Sequence, residues 1–299
     1  MSYAIRRIRL TFNLGTGNFG ESGSSQVVLQ GLRVQCHITK TGNVAMGEAQ
    51  IRVHGLTQEH LNQLTSIYQA PQLLRKNTVT VEAGTDYINN MAVVFTGGIT
   101  VAQADIANQP DSVLNVIAQA GLIYKVKPLS QTSASASYPK SATIDSILKP
   151  LATLMGLDYY NAGVQFSLNT QYLHGSILDQ VQQVIQAAGC KWNNGNNNVL
   201  AIAPNNSSIQ KYFGGKAPVI TPDTGMIGYP AYSSLGIMVR TLFNPNINLM
   251  GEVQVVSSLP QADYIWIVYG LSYNLESETP NGQWYTEVLG FSAEAASAS

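Results

Sequence analysis

Glycine and proline recur so densely between residues 218 and 250, PVITPDTGMIGYPAYSSLGIMVRTLFNPNINLM, that this stretch reads as sheet cut into short strands. Thr224-Gly225-Met226-Ile227-Gly228-Tyr229-Pro230 places two glycines and a proline within seven residues, which punctuates a sheet instead of extending it. Leu242-Phe243-Asn244-Pro245 ends a strand, because the residue before a proline is pushed to extended geometry and Pro245 has no N–H for a ladder. A strand pair around Trp266 and Trp284 follows. Almost none of these residues carries chemistry.

The first hundred residues have the same character. Segments 8–14, 27–38, 49–54, 78–83 and 91–101 show period-two or continuous apolar patterns, with Gly and Asn between them. One helix interrupts: Thr57 can cap it, Leu61, Leu64 and Ile67 form its apolar stripe, and Pro71 prevents continuation. After Asp105 the pattern changes. Residues 113–120 read as a strand, and 130–138 (SQTSASASY) as a low-complexity polar loop. Two helices follow, at about 143–155 with Pro150 predicting a kink and Gly156 beyond the end, and from Ser176 to Gly189 with Asp179 in a weak capping-box position. Residues 159–168 and 191–203 read as strands, the second folded back at 193–196, and 205–215 as a linker. The tail, 292–299, is too small and polar to pack.

The T-G-M-I-G-Y-P turn, the L-F-N-P strand end and a closing hairpin from Leu271 to Thr286, L-x-x-x-L-E-S-E-x-P-x-G-x-W-Y-T, resemble the baseplate hub proteins of contractile-tailed bacteriophages. Segments 47–56, 77–84 and 94–99 resemble the first barrel of that family, so the likeness spans most of the chain. Tyr273 departs from it, standing where many relatives are expected to carry histidine.

The resemblance implies a mainly β fold with an α+β insertion. Two β-barrel, tube-like hub domains, 1–105 and 206–299, would flank a small α+β region at 106–205. Its signature residues here are Thr224, Gly225, Met226, Gly228, Tyr229, Pro230, Phe243, Asn244, Pro245 and Trp284, with structural roles. It further implies a homotrimeric ring that adapts the hexameric tail tube to a trimeric spike, contacts other baseplate subunits and lets DNA pass without specific binding. No catalysis, cofactor or metal is implied.

Composition fits a subunit buried by partners. Charged residues make up 11% of the 299, against roughly 25% in an average globular protein, and Asn, Gln, Ser, Thr and 15 Tyr stand in their place. A low-charge monomer is the plainer alternative. No apolar stretch has membrane-spanning length, and the alternation at Arg6, Arg7 and Arg9 is a strand pattern unlike a signal peptide, so synthesis and folding in the cytoplasm are expected. The net charge of −1 conceals an asymmetry: residues 1–104 hold eight basic and five acidic side chains (+3), and residues 206–299 hold three and seven (−4). Such ends suit a head-to-tail contact through Arg6 and Arg7 in a ring, although charges scattered on solvated faces explain the count equally well. Cys36 and Cys190 lie in different parts of the chain in apolar contexts and read as buried thiols.

Motifs for chemistry are weak. Gly15-Thr16-Gly17-Asn18-Phe19-Gly20 fits G-x-G-x-x-G, but no helix starts there to present free N–H groups to a phosphate. His37, His54, His60 and His174 include no i, i+4 pair, neither cysteine belongs to C-x-x-C, and G-x-S-x-G and H-E-x-x-H are absent. Two other classes stay open. A tail-associated peptidoglycan hydrolase would need two carboxylates, for which Glu276 and Glu278 stand out, although same-face acids at a solvated hairpin explain them too. A β-rich carbohydrate-binding tail module could stack sugars on Trp192, Trp266, Trp284 and the tyrosines.

Overall fold

The computed structural model describes residues 5–15, 23–42, 47–65, 77–85, 90–107, 112–122, 124, 135–137, 141–168, 172–194, 198–233 and 235–292. The G-x-G-x-x-G run after Gly15, most of the 130–138 loop, Ile67, Pro71 and the tail from 293 lie outside these residues.

Strict alternation builds the first strands. In β1 (Arg7–Asn13), Ile8, Leu10 and Phe12 are buried while Arg7, Arg9 and Thr11 face the other way. The apolar run at 27–38 is two strands, β2 (Gln26–Gln30) and β3 (Val34–Thr41), because Gly31 adopts φ +73 and breaks it. β4 (Glu48–His54) leads to α1 (Gln58–Leu64), whose cap Thr57 accepts from the His60 N–H and whose Leu61 and Leu64 enter the core. β5 (Thr78–Gly84), β6 (Met91–Asp105) and β7 (Val113–Gln119) complete this part. β7 pairs with β4 and β6, so residues 113–119 belong to the main sheet and not with the helices that follow.

The middle of the chain holds β8 (Ser135–Ser137), β9 (Ala142–Thr143), α2 (Ile144–Met155), β10 (Asp158–Asn161), β11 (Ser167–Leu168), β12 (Tyr172–His174), α3 (Ile177–Ala188), β13 (Lys191–Asn194) and β14 (Val199–Ala203). Gly156 and Gly189 end the helices in the left-handed region, and Ser176 and Asp179 form a full capping box. β10 runs parallel to β14, and β13 antiparallel to it. Every residue of β14 is buried, on both faces. Leu200 and Ile202 meet the helices, while Val199, Ala201 and Ala203 meet Ile209, Leu249 and Met250. Residues 205–215 are therefore not a free linker: Ile209 is fully buried and donates its N–H to the Met250 carbonyl.

The last part contains β15 (Val219–Ile220), β16 (Met226–Ser233), β17 (Gly236–Leu242), β18 (Glu252–Val255), β19 (Ile265–Ser277) and β20 (Trp284–Phe291). It joins the first part in one sheet, ordered β16-β17-β20-β19-β3-β4-β7-β6-β5-β1-β2, with β18 on β19 and β15 on β18. The junction is an antiparallel ladder of eight pairs, from Thr41 opposite Gly270 to Val34 opposite Ser277. One hydrophobic core runs under both parts. Among the described residues the strands do not close on themselves, so two separate closed barrels give way to a continuous open sheet.

Within that sheet the strand order repeats. The first part reads β3-β4-β7-β6-β5-β1 and the last β16-β17-β20-β19-β18-β15, with β3 in the place of β16 and β6 in the place of β19. Both long strands carry a bulge at the same point, between Ile99 and Val101 against β7 and between Val268 and Gly270 against β20. Inward Val79 and Val81 of β5 match Val253 and Val255 of β18, all fully buried. One crossing differs: β1 is antiparallel to β5, whereas β15 is parallel to β18.

Candidate functional site

The ten signature residues gather in the last part of the sheet, in two linked groups. Thr224 locks a turn: it exchanges hydrogen bonds with Thr221, N–H to Oγ1 at 3.0 Å and Oγ1 from N–H at 2.8 Å, and its hydroxyl donates to the Val219 carbonyl at 3.0 Å. Gly225 follows at φ +107, and its carbonyl accepts from the Leu242 N–H and the Thr241 hydroxyl. Met226 then opens the edge strand β16, which loses register between Ile227 and Ala231, where Gly228 has φ +74. That bulge leaves Tyr229 76% exposed and Pro230 buried.

The second group is an aromatic knot. The Phe243 ring lies edge-on to Tyr273 at 5.7 Å and to Trp284 at 5.4 Å, geometry that favours the ring quadrupoles. Asn244 anchors the chain after it, its N–H donating to the Thr286 hydroxyl and its side chain accepting from Asn246, with Pro245 between them at the turn. Tyr273 is buried and donates to the Ile247 carbonyl. Burial raises its phenol pKa.

Sequence reading passed over Lys40. It sits on the core-facing side of β3 with Val34, Cys36 and Ile38, its Nζ 5.3 Å from the Tyr273 ring centre, and burial lowers its ammonium to about 8. Strand parity was the available signal. Lys191 is similar, 4.7 Å from the Phe291 ring centre and lowered by burial to about 8. Cys36 is buried, and burial raises its thiol pKa; Cys190 is only half-buried, which corrects the expectation of two buried thiols.

The groups weighed for chemistry are engaged elsewhere. Glu276 accepts from Gln35 and from the Gln283 N–H, and Glu278 is ion-paired to Arg7 at 2.7 Å. Arg6 donates to the Gly282 carbonyl and lies over Trp284. Arg6 and Arg7 thus bind the hairpin of their own chain. His37 bonds Asn274 at 2.8 Å, and among the described residues no group of three His, Cys, Asp or Glu side chains converges for a metal. Trp192, Trp266 and Trp284 are 2%, 7% and 8% exposed, so none offers a face to a sugar.

The face of the sheet opposite the core is polar and carries charges of both signs, among them Arg9, Glu48, Arg52, Glu82, Arg240, Glu276 and Glu287. Across β20, β19, β3, β4 and β7 it presents rows such as Tyr285, Asn274, His37, Gln50 and Ile117, all half-buried or exposed. A depression of about 340 Å³ lies here, lined in part by Gln35, Gln50, Asn115 and Asn274 together with Arg52 and Glu276. The ion pairs Arg9–Glu82 at 3.4 Å and Arg240–Glu287 at 2.7 Å lie on this face.

A bulged open sheet with a repeated strand order and a small α+β unit packed against it define the fold. The chain matches the family described as baseplate hub gp41 over residues 7–288, and it belongs to that family. The 43 kDa tail protein of prophage MuSo2 from Shewanella oneidensis shares its fold, with a TM-score of 0.60 at 10% identity over 97% of this chain and 98% of that one. A tail protein from Neisseria meningitidis MC58 gives 0.59 at 9%, over 95% and 96%. The E. coli c3393 protein, a type VI secretion component described as similar to the T4 tail proteins gp27 and gp5, gives 0.54 at 9%, over 87% and 73%. No curated protein matches by sequence.

Proposed function

We propose that this chain is a structural subunit of the tail baseplate hub, assembled in the host cytoplasm. Three copies form a ring that adapts a hexameric tail tube to a trimeric spike and leaves a lumen for DNA. The observation that carries this reading is the repeated strand order inside one continuous sheet. A threefold ring meets a sixfold tube only if each chain offers two similar surfaces, and a duplicated architecture supplies them. On this reading the strands from β1 to β7 and from β15 to β20 form the two tube-like parts, the helices and short strands between them the α+β region, and the ten signature residues shape the second tube-like part. Function then lies in shape and contact area, with nothing turned over and no cofactor. The polar face, with charges of both signs, suits a lumen, since a strongly basic one would hold DNA by counterion release. Native mass spectrometry of the full chain, alone and with neighbouring baseplate subunits, tests the stoichiometry: a trimer is expected, and a chain monomeric in both conditions contradicts it.

A further inference from the structure

A cavity of about 520 Å³ opens where the α+β unit meets the last part of the sheet. Tyr212 and Phe213 line it from the segment after β14, Pro218 from just before β15, and Pro245 and Asn246 from the turn between β17 and β18, with Lys216 beside them. Each wall is held. Tyr212 packs against Tyr160 of β10 with ring centres 5.2 Å apart, and edge-on to Phe213 at 5.3 Å. The buried Gln210 side chain donates to the Lys216 carbonyl at 2.7 Å and accepts from the Glu252 N–H at 2.8 Å, which ties the segment to β18. The Asn246 N–H donates to the Asn244 side chain, and its carbonyl accepts from the Asn248 amide, both at 3.0 Å. Aromatic and proline walls with a few polar groups, set at a junction between parts, are the make-up of a binding site.

Polar groups that the fold does not use set the chemistry of the cavity. Lys216 is exposed, and among the described residues nothing accepts from or ion-pairs with its ammonium; the Asn246 side-chain amide is free in the same sense. No acid stands among the described lining residues, and Asp158, which is not one of them, accepts from the Tyr212 hydroxyl at 3.4 Å. The residues just before Ile209 border a second hollow, of about 670 Å³, where the charge is reversed: Glu252 and Asp263 line it, and no base does among the described residues. A carboxylate is drawn to the first hollow and repelled by the second.

We propose that this cavity takes an extended acidic segment of a neighbouring baseplate subunit, with an apolar or proline side chain against the Tyr212 and Phe213 rings and an Asp or Glu carboxylate at Lys216. This rests on the hub reading above. The rings supply contact area, and because they are already packed in place little conformational freedom is lost on docking. The free Asn246 amide bonds the backbone of the segment. Lys216, exposed at the rim, selects the sign of the partner's charge and the direction in which the segment lies.

The test places a benzophenone side chain at Phe213 of the full chain, irradiates it with neighbouring baseplate subunits, and identifies the linked peptide by mass spectrometry. A link to a segment of a different subunit that carries Asp or Glu is expected. Lys216→Glu should lower its yield at least about tenfold, whereas Lys216→Arg, and Lys211→Glu outside the cavity, should keep it. Native mass spectrometry of the same mixtures reports assembly. With the hub assembled, a link to a second copy of this chain, a link to a segment without acids, a yield indifferent to Lys216→Glu, or no link at all overturns the inference and leaves the hub reading. A chain that joins no baseplate subunit overturns both.

Discussion

Arg7 and Glu278 are 271 residues apart in sequence and 2.7 Å apart in space, Nη1 to Oε1. The pair ties the first strand to the hairpin between β19 and β20, and with the Arg6 contact to Gly282 it reinforces the junction that makes two β parts one sheet. Opposite charges at the two ends of the sequence are thus matched at least partly within one chain.

A double-mutant cycle on Arg7→Ala and Glu278→Ala should give a coupling of about 0–1 kcal/mol, because both side chains keep part of their hydration. Urea denaturation measures it. Coupling should fall with added salt, and subunit assembly at Arg7→Ala should equal wild type.

Lys40 makes stability depend on pH in a defined direction. Burial lowers its ammonium from the usual 10.5 to about 8, so between these values the unfolded chain holds a proton that the folded chain lacks. Its contribution is most favourable above pH 10.5, is lost as pH falls towards 8, and is flat below. Lys40→Met should therefore be more stable than wild type by up to about 3 kcal/mol at pH 7, with the gap closing as pH rises to 10.5. Cys36 and Tyr273, whose pKa values burial raises, pull the other way at alkaline pH in both proteins, so the difference isolates Lys40. A gap independent of pH contradicts the assignment.

Gly236 opens β17 at φ +144, and a Cβ there would lie 2.1 Å from the Gly290 carbonyl oxygen. Gly236→Ala must move backbone, and should cost at least about 1–3 kcal/mol and loosen the β16–β17 hairpin. Gly214→Ala, also at positive φ but with open space around it, should cost less. Thermal melts of the two variants give the comparison.

The polar face of the sheet predicts how DNA binding can be gained. Replacing Glu82 and Glu287 with Gln adds two net positive charges per chain to that face. Duplex DNA binding should then appear, weakening with salt by a slope of about −0.9 per phosphate neutralised. Fluorescence anisotropy should show little binding for wild type and for Glu59→Gln with Asp263→Asn, whose acids lie elsewhere. Equal gains in both double variants would show that the face is not special.

Local patterns made much of this fold legible. Alternation in β1, caps at Thr57 and Ser176, and glycine ends at Gly156 and Gly189 depend on neighbours within a few residues. What joins the halves was not legible, since the partner of Gln35 is Glu276, 241 residues on, and no local pattern encodes that register. Composition misled at 205–215, where polar residues surround an Ile209 seated against Met250. At the site, the turn and the strand end were visible as Gly225, Gly228, Pro230 and Pro245. The meeting of Lys40 with Tyr273, which Phe243 also touches, depended on β3 lying beside β19.

Single-particle imaging of the assembled ring tests the central claim most directly. The account predicts three chains whose first and last β parts alternate, superpose strand for strand in the order β3-β4-β7-β6-β5 on β16-β17-β20-β19-β18, and stand about sixty degrees apart around the axis. A ring in which identical parts meet, or in which the two parts do not superpose by rotation about the axis, would contradict it.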